Sequence, residues 1–528
     1  MKRSFKDFVA SKGKAFTEGE DPNQASGNSN WKSSIAKTTL PKGFIPPSNL
    51  RPVIEAFLKS KDIMLQNDLS KPVTMPAKTL FLVGGPVRDF LAGKTIKDYD
   101  LATNATPEQI YVILAAAGFK HAGDRSGKDG EEISLPKHIQ YKGNDDKIPV
   151  EDAKDGEKKS FFLKGRDNSE QRKGFVVSAV VNGDEFEIAT FRKDAKVTDG
   201  AASVDFVDDP TQDAARRDLT INAMYIELNK ADGENKTLYD PTGNGHSDLQ
   251  SGKVRTVGKA DERFEEDPLR VMRAIRFHCR FGKGGELDKD IAQAIPKFTN
   301  LHERLRGIDR IKKEFLTGLL HPDVDAKKYL GIYKQTGMLK TVFPGLKFDS
   351  PSGVPAEFSD KKDKPLALAW LLQHNSIEEV EQALGPSRAI GGEEKQTGWE
   401  STERKQITFL LKLKEFSPEK VAEYLKHKEG SGLSNQQIRD WVDMFNVKGT
   451  KRNSRPWWSS QVKHFADYQR SVDWNKAQGE HGKCSHCKGA GCQSCGGTGQ
   501  LQGPQISKKI GELESGNFKQ SMDKAKQQ

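Results

Sequence analysis

A short apolar segment that ends in two glycines and is followed by two aspartates places the strongest constraint on how this chain can fold. Residues 79–83 form a compact apolar run that stops at Gly84-Gly85, a pattern that predicts a buried strand ending in a tight turn. Glycines at such a turn let backbone N–H groups come close to a phosphate. Asp98 and Asp100 lie two residues apart, so in an extended strand both carboxylates project from one face. The sequence therefore predicts an anion-binding turn beside paired carboxylates.

Paired carboxylates of this kind are typical of a site for a divalent cation. Two neighbouring carboxylates repel each other, and a hard cation such as Mg²⁺ relieves the repulsion. The ion can then bridge triphosphate oxygens and activate an attacking hydroxyl. Glu187 lies between Phe186 and Ile188 on a predicted strand, and we interpret it as a third acid of this site. Each acid alone is also compatible with an ordinary solvated residue, but their order behind one buried strand favours the site.

Two further patterns indicate a mixed α/β region. Residues 107–118 predict a helix with Thr106 as its N-cap. Residues 174–191 predict two strands joined at Asn182-Gly183, a dipeptide typical of hairpin turns. Elsewhere the predicted helices cover 50–65, 261–281, 303–320, 366–385, 403–426 and 434–446.

The length of 528 residues allows three or four domains. We predict an α+β fold, with a small mixed β-sheet and its helices first and a mainly α-helical part after it. The predicted divisions are a mobile N-terminal extension (1–48), an α/β head (49–228) with an insertion (121–173), a neck (229–300), a helical body (301–400) and a tail (401–528).

Charge and cysteine usage narrow the class of protein. The formal net charge is +10, which fits a polyanionic partner such as RNA, with simple solubility as the alternative. The sequence has no run of about 18 apolar residues that would predict a membrane span. Four of the five cysteines are clustered, which is typical of metal binding in a reducing compartment rather than of secreted disulfides. We therefore expect a soluble, cytoplasmic protein.

The four clustered cysteines form two consecutive C-x-x-C-x-G-x-G motifs, at Cys484, Cys487, Cys492 and Cys495. Four thiolates suit tetrahedral Zn²⁺, and the glycines permit tight turns around the ion. A closed shell of four sulfurs predicts a structural zinc knuckle over 484–499, while a redox pair or a disulfide cluster is the alternative. The motifs are similar to the cysteine-rich zinc domain of J-domain chaperones at half its length, so a zinc adaptor is a further alternative.

Several motifs in order resemble those of the class II tRNA nucleotidyltransferase and bacterial poly(A) polymerase family. The motifs are G-G-P-V-R-D at 84–89, D-Y-D at 98–100, R-R-D-L-T-I-N-A at 216–223, D-P-T-G at 240–243, E-D-P-L-R-V-M-R-A-I-R-F at 266–277 and D-R-I at 309–311. Together they span residues 79–345. The resemblance implies a nucleotidyltransferase head with a helical neck, body and tail, and template-independent addition of nucleotides to RNA 3′ ends.

The same resemblance implies the residues that bind the nucleotide. They are Gly84, Gly85, Arg88, Asp89, Arg217, Asp218, Asn222, Asp267, Arg270, Arg273 and Arg276. Asp98 and Asp100 would hold Mg²⁺ and act in catalysis with Glu187. Asp267 and Arg270 are three residues apart, so on one helix they would share a face, and by resemblance they select C and A as a protein template.

Some positions depart from the family pattern. Residues 172–175 read Arg-Lys-Gly-Phe where the family has His-Gly-Thr, and Ala201 stands where the family's D-G-R motif has arginine. The basic signature of poly(A) polymerases does not follow Gly118, which favours CCA addition on tRNA with CTP and ATP. Poly(A) addition and a catalytically silent RNA-binding protein remain the alternatives.

Overall fold

The computed structural model describes residues 31–65, 73–122, 138–141, 148–149, 152–154, 156–164, 176–194, 204–305, 308–348, 363–384, 387–388, 394–395, 399–413, 432–434, 437 and 440–441. The chain divides into two compact units, Met1–Ala294 and Ile295–Gln528. The predicted boundaries of head, neck, body and tail are finer than this division and stay predictions.

The first unit is built on a mixed β-sheet. In chain order its strands are β1 Ala36–Phe44, β2 Ile63–Leu65, β3 Val73–Thr74, β4 Leu80–Val83, β5 Leu101–Thr103, β6 Lys120–His121, β7 His138–Tyr141, β8 Ile148–Pro149, β9 Lys159–Lys164, β10 Val176–Val181, β11 Asp184–Thr190, β12 Arg192–Asp194, β13 Val204–Phe206, β14 Tyr225–Glu227 and β15 Asn235–Asp240. Among the described residues, nine of them form one sheet in the order β1-β15-β14-β4-β5-β11-β10-β9-β6. Only the β5–β11 and β9–β6 pairs in that sheet are parallel.

The helices of the first unit connect and cover these strands. They are α1 Trp31–Ser34, α2 Arg51–Leu58, α3 Gly85–Leu91, α4 Pro107–Ala116, α5 Pro210–Ala215, α6 Gly245–Ser251, α7 Ala260–Glu266, α8 Arg270–Phe281 and α9 Lys289–Ala294, with single turns of 3₁₀ helix at Ser60–Asp62 and Thr220–Asn222. All four residues of β4 are buried, as a central strand covered on both faces requires. The observed sheet with its helices confirms the predicted α+β fold.

Local sequence signals explain several of these elements. Thr106 caps α4 by accepting from the Gln109 N–H, while the Gln109 side chain accepts from the Thr106 N–H. This reciprocal capping confirms the predicted helix start. Asn182 and Gly183 both have positive φ, 51° and 92°, which is the backbone of the hairpin turn that the Asn-Gly pair predicts.

The N-terminal prediction is wrong for residues 31–48. Strand β1 pairs antiparallel with β15, so this segment forms an edge of the sheet. Trp31 anchors it, with its ring 5.6 Å from that of Tyr239 in an edge-on arrangement, and Leu40 and Phe44 are buried. Burial of these apolar side chains outweighs the Ser-, Lys- and Gly-rich composition that suggested a mobile extension. Residues 1–30 lie outside the described residues.

Two predicted helices are shorter or divided. The helix predicted over 50–65 ends at Leu58, and the chain continues through a 3₁₀ turn into β2. The helix predicted over 261–281 is two helices, α7 and α8, because Asp267 adopts extended backbone (φ −145°, ψ 99°) before Pro268. Proline disfavours helical backbone in the residue before it and lacks the N–H that a continuous helix needs.

The second unit is mainly helical where it is described. Its helices are α10 Leu301–Arg304, α11 Ile308–Leu319, α12 Ala326–Gln335, α13 Met338–Val342, α14 Lys364–Leu372, α15 Ile377–Leu384 and α16 Ser401–Lys412, with a 3₁₀ turn at Ile295–Phe298 and short strands β16 Ser387–Arg388 and β17 Glu394–Lys395. The helix predicted over 303–320 corresponds to α10 and α11, and that over 366–385 corresponds to α14 and α15. Most of the helix predicted over 434–446, and the end of the one over 403–426, lie outside the described residues.

A buried carboxylate ties three helices of the second unit together. Glu403 on α16 is 5% exposed; it accepts from Lys312 Nζ of α11 at 2.8 Å and forms an ion pair with Lys364 of α14. Its Oε2 also accepts from the Glu400 N–H at 2.9 Å, which closes the first turn of α16. None of the described helices is both long enough and apolar enough to cross a lipid bilayer.

Candidate active site

The register of three neighbouring central strands, β4, β5 and β11, brings two of the predicted acids and the glycine turn together. Ile188 of β11 pairs with Leu101 of β5 in parallel, so the residues just before them, Glu187 and Asp100, lie side by side. On the other side of β5, the Val83 N–H donates to the Asp100 carbonyl at 3.0 Å. The glycine turn that follows Val83 therefore begins next to Asp100.

The two aspartates lie just ahead of β5 rather than in it. Strand β5 begins at Leu101, and both aspartates belong to the connection that leads to it. The prediction that an extended strand carries both is therefore wrong in this detail, because regular pairing with β4 and β11 starts one residue later. Glu187 fits its prediction, since Phe186 and Ile188 are buried and Glu187 is half-buried between them.

The charged groups around Asp100 lie close enough to change the pKa of its carboxyl. Burial raises the pKa of the Asp100 carboxyl, and the negative charges of Glu187 and Asp98 raise it further, while Arg217 and Arg88 oppose the rise. Like-charged carboxylates in a partly buried place are the arrangement that a divalent cation neutralises. Oxygen donors of this kind fit Mg²⁺. Within the described residues, however, no three His, Cys, Asp or Glu side chains converge into a ready-made metal cage.

The glycine turn starts α3 and buries Arg88 behind it. Gly84 has φ +70°, a backbone conformation that favours glycine. Arg88 is 4% exposed; its Nε and Nη2 donate to Asp89 Oδ1 at 2.9 and 2.8 Å, and its Nη1 donates to Asn222 Oδ1 at 2.6 Å.

Two aromatic rings enclose the same guanidinium. Phe277 and Phe281 of α8 both lie 4.7 Å from it, measured to the ring centroids. Burial lowers the pKa of Arg88 to about 10, although Asp89 opposes the shift. The structure thus places Arg88 as a buried link between α3, the 220–222 turn and α8, whereas the family resemblance implied that Arg88 binds the nucleotide.

Arg217 lies nearer to the glycine turn. Its Nη1 donates to the Asn222 carbonyl at 3.2 Å, and a Cβ placed on Gly84 would lie 3.0 Å from that nitrogen. Its Nε and Nη2 donate to Asp213 Oδ2 at 3.3 and 3.1 Å, and Nε also donates to Tyr225 Oη at 3.0 Å. Because glycine is the residue that allows this approach, Gly84 and Arg217 pack closely together, and their role in nucleotide binding stays a prediction.

Asp218 is the centre of a second buried network. Its Oδ1 accepts from the Leu219 N–H at 2.8 Å and from Asn222 Nδ2 at 3.1 Å, and its Oδ2 accepts from Arg273 Nε at 2.7 Å. Burial alone would raise the pKa of Asp218, but Arg273, Asn222 and the Leu219 N–H hold it at about 2. Asp218 and Asn222 therefore fix one another and Arg273 of α8.

The proposed base-reading pair does not share a helix face. Asp267 lies in the break between α7 and α8, where its Oδ1 accepts from the Leu269 N–H at 3.2 Å. Arg270 is the first residue of α8; its Nη2 donates to the Arg216 carbonyl at 2.8 Å and its Nη1 to Glu266 Oε2 at 2.7 Å. Arg276 is 8% exposed and lies 4.3 Å from the Phe277 ring centroid.

Three further residues of this site, Asp213, Tyr225 and Arg280, were not among the sequence predictions. Asp213 pairs with Arg216 and Arg217, Tyr225 bonds both Asp213 and Arg217, and Arg280 pairs with Asp89 at 3.3 Å. A signal for Asp213 was present, because it precedes the two arginines by three and four residues, the spacing of helical ion pairs. Tyr225 and Arg280 carry no local signal, since their contacts depend on the sheet and on α8.

The predicted zinc ligands Cys484, Cys487, Cys492 and Cys495 lie outside the described residues. The zinc knuckle therefore stays a prediction from the sequence.

Comparison with known proteins gives one family match and several similar curated proteins. The poly A polymerase head domain family matches residues 80–141 and 142–255. Among curated proteins, the chain is 27% identical over 402 residues to the mitochondrial CCA tRNA nucleotidyltransferase 1 of Danio rerio, covering 70% of this chain and 77% of the relative. It is 30% identical over 269 residues to that of Homo sapiens, covering 48% and 49%, and 32% identical over 268 residues to the CCA-adding enzyme of Latilactobacillus sakei, covering 50% of each. The chain thus spans about half the length of the last two relatives.

A solved structure extends the likeness in fold. The chain is similar to the crystal structure of the Bacillus stearothermophilus CCA-adding enzyme in complex with CTP, with a TM-score of 0.52 and 21% identity, over 89% of this chain and 92% of the other. This likeness confirms the predicted fold, a nucleotidyltransferase head followed by helices.

Proposed function

We propose that this chain is a nucleotidyltransferase that completes the CCA end of tRNA, using CTP and ATP and releasing pyrophosphate. The observation that carries the proposal is the placement of Glu187 beside Asp100 where β11 pairs with β5, with Arg217 packed against the neighbouring Gly84 turn. An acidic group suited to a divalent cation then lies next to a cationic, glycine-lined approach suited to a triphosphate. The head-domain match and the similar CCA-adding enzymes support the same reaction.

The reaction requires the RNA 3′-oxygen to bond to the α-phosphorus while the bond from that phosphorus to the bridging oxygen breaks and pyrophosphate leaves. Asp98 and Asp100 would hold Mg²⁺, which supplies charge stabilisation for the attacking and leaving oxygens. Arg217 directs its remaining N–H groups to the phosphates, and Gly84 leaves the space for them. Asp218 and Asn222, locked together at 3.1 Å, form the wall against which the ribose is placed.

Base selection is proposed for the break between α7 and α8. Asp267 and Arg270 are fixed by separate backbone contacts, to Leu269 and Arg216 respectively. Two rigidly held groups, one accepting and one donating, suit the Watson–Crick edge of a nucleobase.

The proposal is tested with tRNA transcripts that end before CCA, at CC, or after CCA. Purified protein with Mg²⁺ receives each labelled nucleotide alone and in mixture. We expect addition of C, C and A that stops at the completed end. Long A tails would instead identify a poly(A) polymerase, and tRNA binding without incorporation in any mixture would identify a catalytically silent RNA-binding protein.

We also propose that the four clustered cysteines bind one structural Zn²⁺. The support is the tandem C-x-x-C-x-G-x-G spacing. We expect about one zinc per chain by atomic absorption, falling to about zero when Cys484 and Cys487 are both changed to Ser. Changing the isolated Cys279 to Ser serves as the matched control and should leave the zinc content unchanged. Absence of zinc from the wild-type protein purified without chelator would contradict the site.

The partners implied by this proposal are tRNA, CTP and ATP. A tRNA substrate also requires a compartment that contains tRNA, and we keep the cytoplasmic location as part of the proposal.

A further inference from the structure

A buried carboxylate that the sequence did not single out lies behind Arg217. Asp213 on α5 is 1% exposed. Its Oδ1 accepts from Arg216 Nε at 2.9 Å and Nη2 at 2.5 Å, and its Oδ2 accepts from Arg217 Nε and Nη2. Each oxygen of one carboxylate thus binds a different guanidinium, which fixes the orientation of both.

Tyr225, on strand β14 of the sheet, contacts both Asp213 and Arg217. Its hydroxyl donates to Asp213 Oδ2 at 2.8 Å and accepts from Arg217 Nε at 3.0 Å. The ring is fully buried and its centroid lies 5.2 Å from the Arg217 guanidinium. Tyr225 pairs with Val83 in the sheet, the residue that precedes Gly84. The platform under Arg217 is therefore part of the same rigid sheet that carries the glycine turn.

The contacts with Asp213, Tyr225 and Asn222 leave two N–H donors of the Arg217 guanidinium for a ligand. Its described contacts use Nε–H, one N–H of Nη2 and one N–H of Nη1, which is three of the five donors of a guanidinium. The side chain is 19% exposed and Nη1 is directed to the Gly84 turn. Two donors on a fixed plane are what bidentate recognition of a phosphate requires.

Asp213 and Arg217 both keep their charges in the folded protein. Burial alone would raise the pKa of the Asp213 carboxyl, but Arg217 and Arg216 hold it below its ordinary value. Burial alone would lower the pKa of Arg217, but Tyr225 and Asp213 raise it above its ordinary value. Both groups therefore stay charged across the pH range in which the enzyme would act.

We propose that Asp213, together with Tyr225, is a positioning residue that holds the Arg217 guanidinium in the orientation that binds the triphosphate of the incoming nucleotide. This inference rests on the proposed function, and specifically on Arg217 as a phosphate ligand. Asp213 touches no substrate itself and acts through Arg217.

The experiment compares the affinities of the full-length protein for CTP and for CMP, measured by calorimetry with Mg²⁺ present. The ratio of the two affinities reports the contacts of the β- and γ-phosphates, while CMP affinity reports the base and ribose. In Arg217→Ala and in Asp213→Asn we expect this ratio to fall by about tenfold, the loss of one charge-assisted contact, with CMP affinity unchanged. Tyr225→Phe should lower the ratio by a smaller factor. It replaces Asp213→Asn as the test variant if Asp213→Asn does not fold.

A matched control separates positioning from general loss of structure. Asp248 is also 1% exposed, and it binds Arg255 and the Thr220 hydroxyl rather than Arg217. Asp248→Asn should lower thermal stability as Asp213→Asn does, but it should keep the CTP-to-CMP ratio within about twofold. Adding Asp213→Asn to Arg217→Ala should lower the ratio no further, because the two residues act through the same contact.

Each outcome decides between the two claims. If the wild-type ratio is near one, or Arg217→Ala leaves it unchanged, Arg217 does not bind the triphosphate and both the phosphate-binding role and this inference are wrong. If Arg217→Ala lowers the ratio while folded Asp213→Asn and Tyr225→Phe do not, the proposed function stands and the positioning role is overturned.

Discussion

Replacing Asp98 and Asp100 together by alanine is expected to lower the rate of nucleotide addition by about 10³-fold or more. In the proposed function, these two carboxylates, which lie just before β5, supply the oxygen donors for the divalent cation. Loss of a bound metal removes several kcal/mol of transition-state stabilisation, and about 4 kcal/mol corresponds to about 10³-fold in rate. Single-turnover incorporation of labelled CTP into a tRNA transcript lacking CCA is the measurement.

We expect the double variant to lose nucleotide addition but to keep tRNA binding. The tRNA affinity of the double variant, measured by filter binding, should stay within about twofold, because RNA affinity depends mainly on contacts to the phosphate backbone. Asp232→Ala with Glu234→Ala is a matched control: these acids are also two residues apart, and their side chains are 73% and 36% exposed in the loop before β15. The control should retain activity. A double Asp98/Asp100 variant that keeps more than about a tenth of the wild-type rate would show that these aspartates are not the metal ligands.

The sequence predicts those parts of the fold that depend on local rules. The Thr106 cap, the Asn182-Gly183 turn and the apolar run before Gly84 each specify their own structure within a few residues. All three occur in the structure as predicted. Such signals are independent of the rest of the chain, because the backbone angles and hydrogen bonds that they fix lie within one turn.

The predictions that failed depend on distant partners. Strand β1 forms because β15, about 200 residues later, offers an unpaired edge and Tyr239 offers a ring to Trp31. Composition alone could not reveal that partner. The helix break at Asp267 did carry a local signal, because Pro268 follows it. We gave more weight to the helical periodicity of the surrounding residues and therefore predicted one continuous helix.

Within the site, the sequence predicts which residues gather but not how each is used. Arg88 and Arg217 both fit a phosphate contact by type and motif. Only the structure shows that Phe277, Phe281, Asp89 and Asn222 enclose Arg88, whereas Arg217 keeps donors near Gly84. A guanidinium can serve as a structural link or as a ligand, and burial decides between the two.

Replacing Asp218 by asparagine is expected to destabilise the first unit by about 2 kcal/mol at neutral pH. The carboxylate is buried, and its folded-state pKa of about 2 lies below the ordinary value of 3.8. Each pKa unit corresponds to about 1.4 kcal/mol. Asparagine keeps an acceptor for Leu219 and Asn222 but loses the charge that binds Arg273. Its amide NH₂ would also face the N–H donors of the Arg273 guanidinium.

The sign of the pH dependence follows from the direction of the pKa shift. Because the folded state binds the Asp218 proton more weakly than the unfolded state, the carboxylate contributes its full stabilisation above about pH 4. That contribution declines as the pH falls through the unfolded-state pKa and toward about 2, the pH at which half of the folded molecules carry the Asp218 proton, and it is lost below that pH. The difference in unfolding free energy between wild type and Asp218→Asn should therefore shrink over this window, measured by urea unfolding at pH 7, 5, 4 and 3.

The pH dependence distinguishes loss of an ion pair from loss of packing. Asparagine and aspartate have nearly the same volume, so a packing defect would give a difference that does not change with pH. The exposed Asp232→Asn is the control and should show no appreciable difference at any pH. A constant deficit in Asp218→Asn would mean that altered packing or the donors of the new amide, rather than loss of the carboxylate charge that faces Arg273, destabilise the 216–222 turn. A deficit that shrinks as the pH falls to 3 would identify the Asp218–Arg273 pair as the contact that fastens α8 to the 216–222 turn.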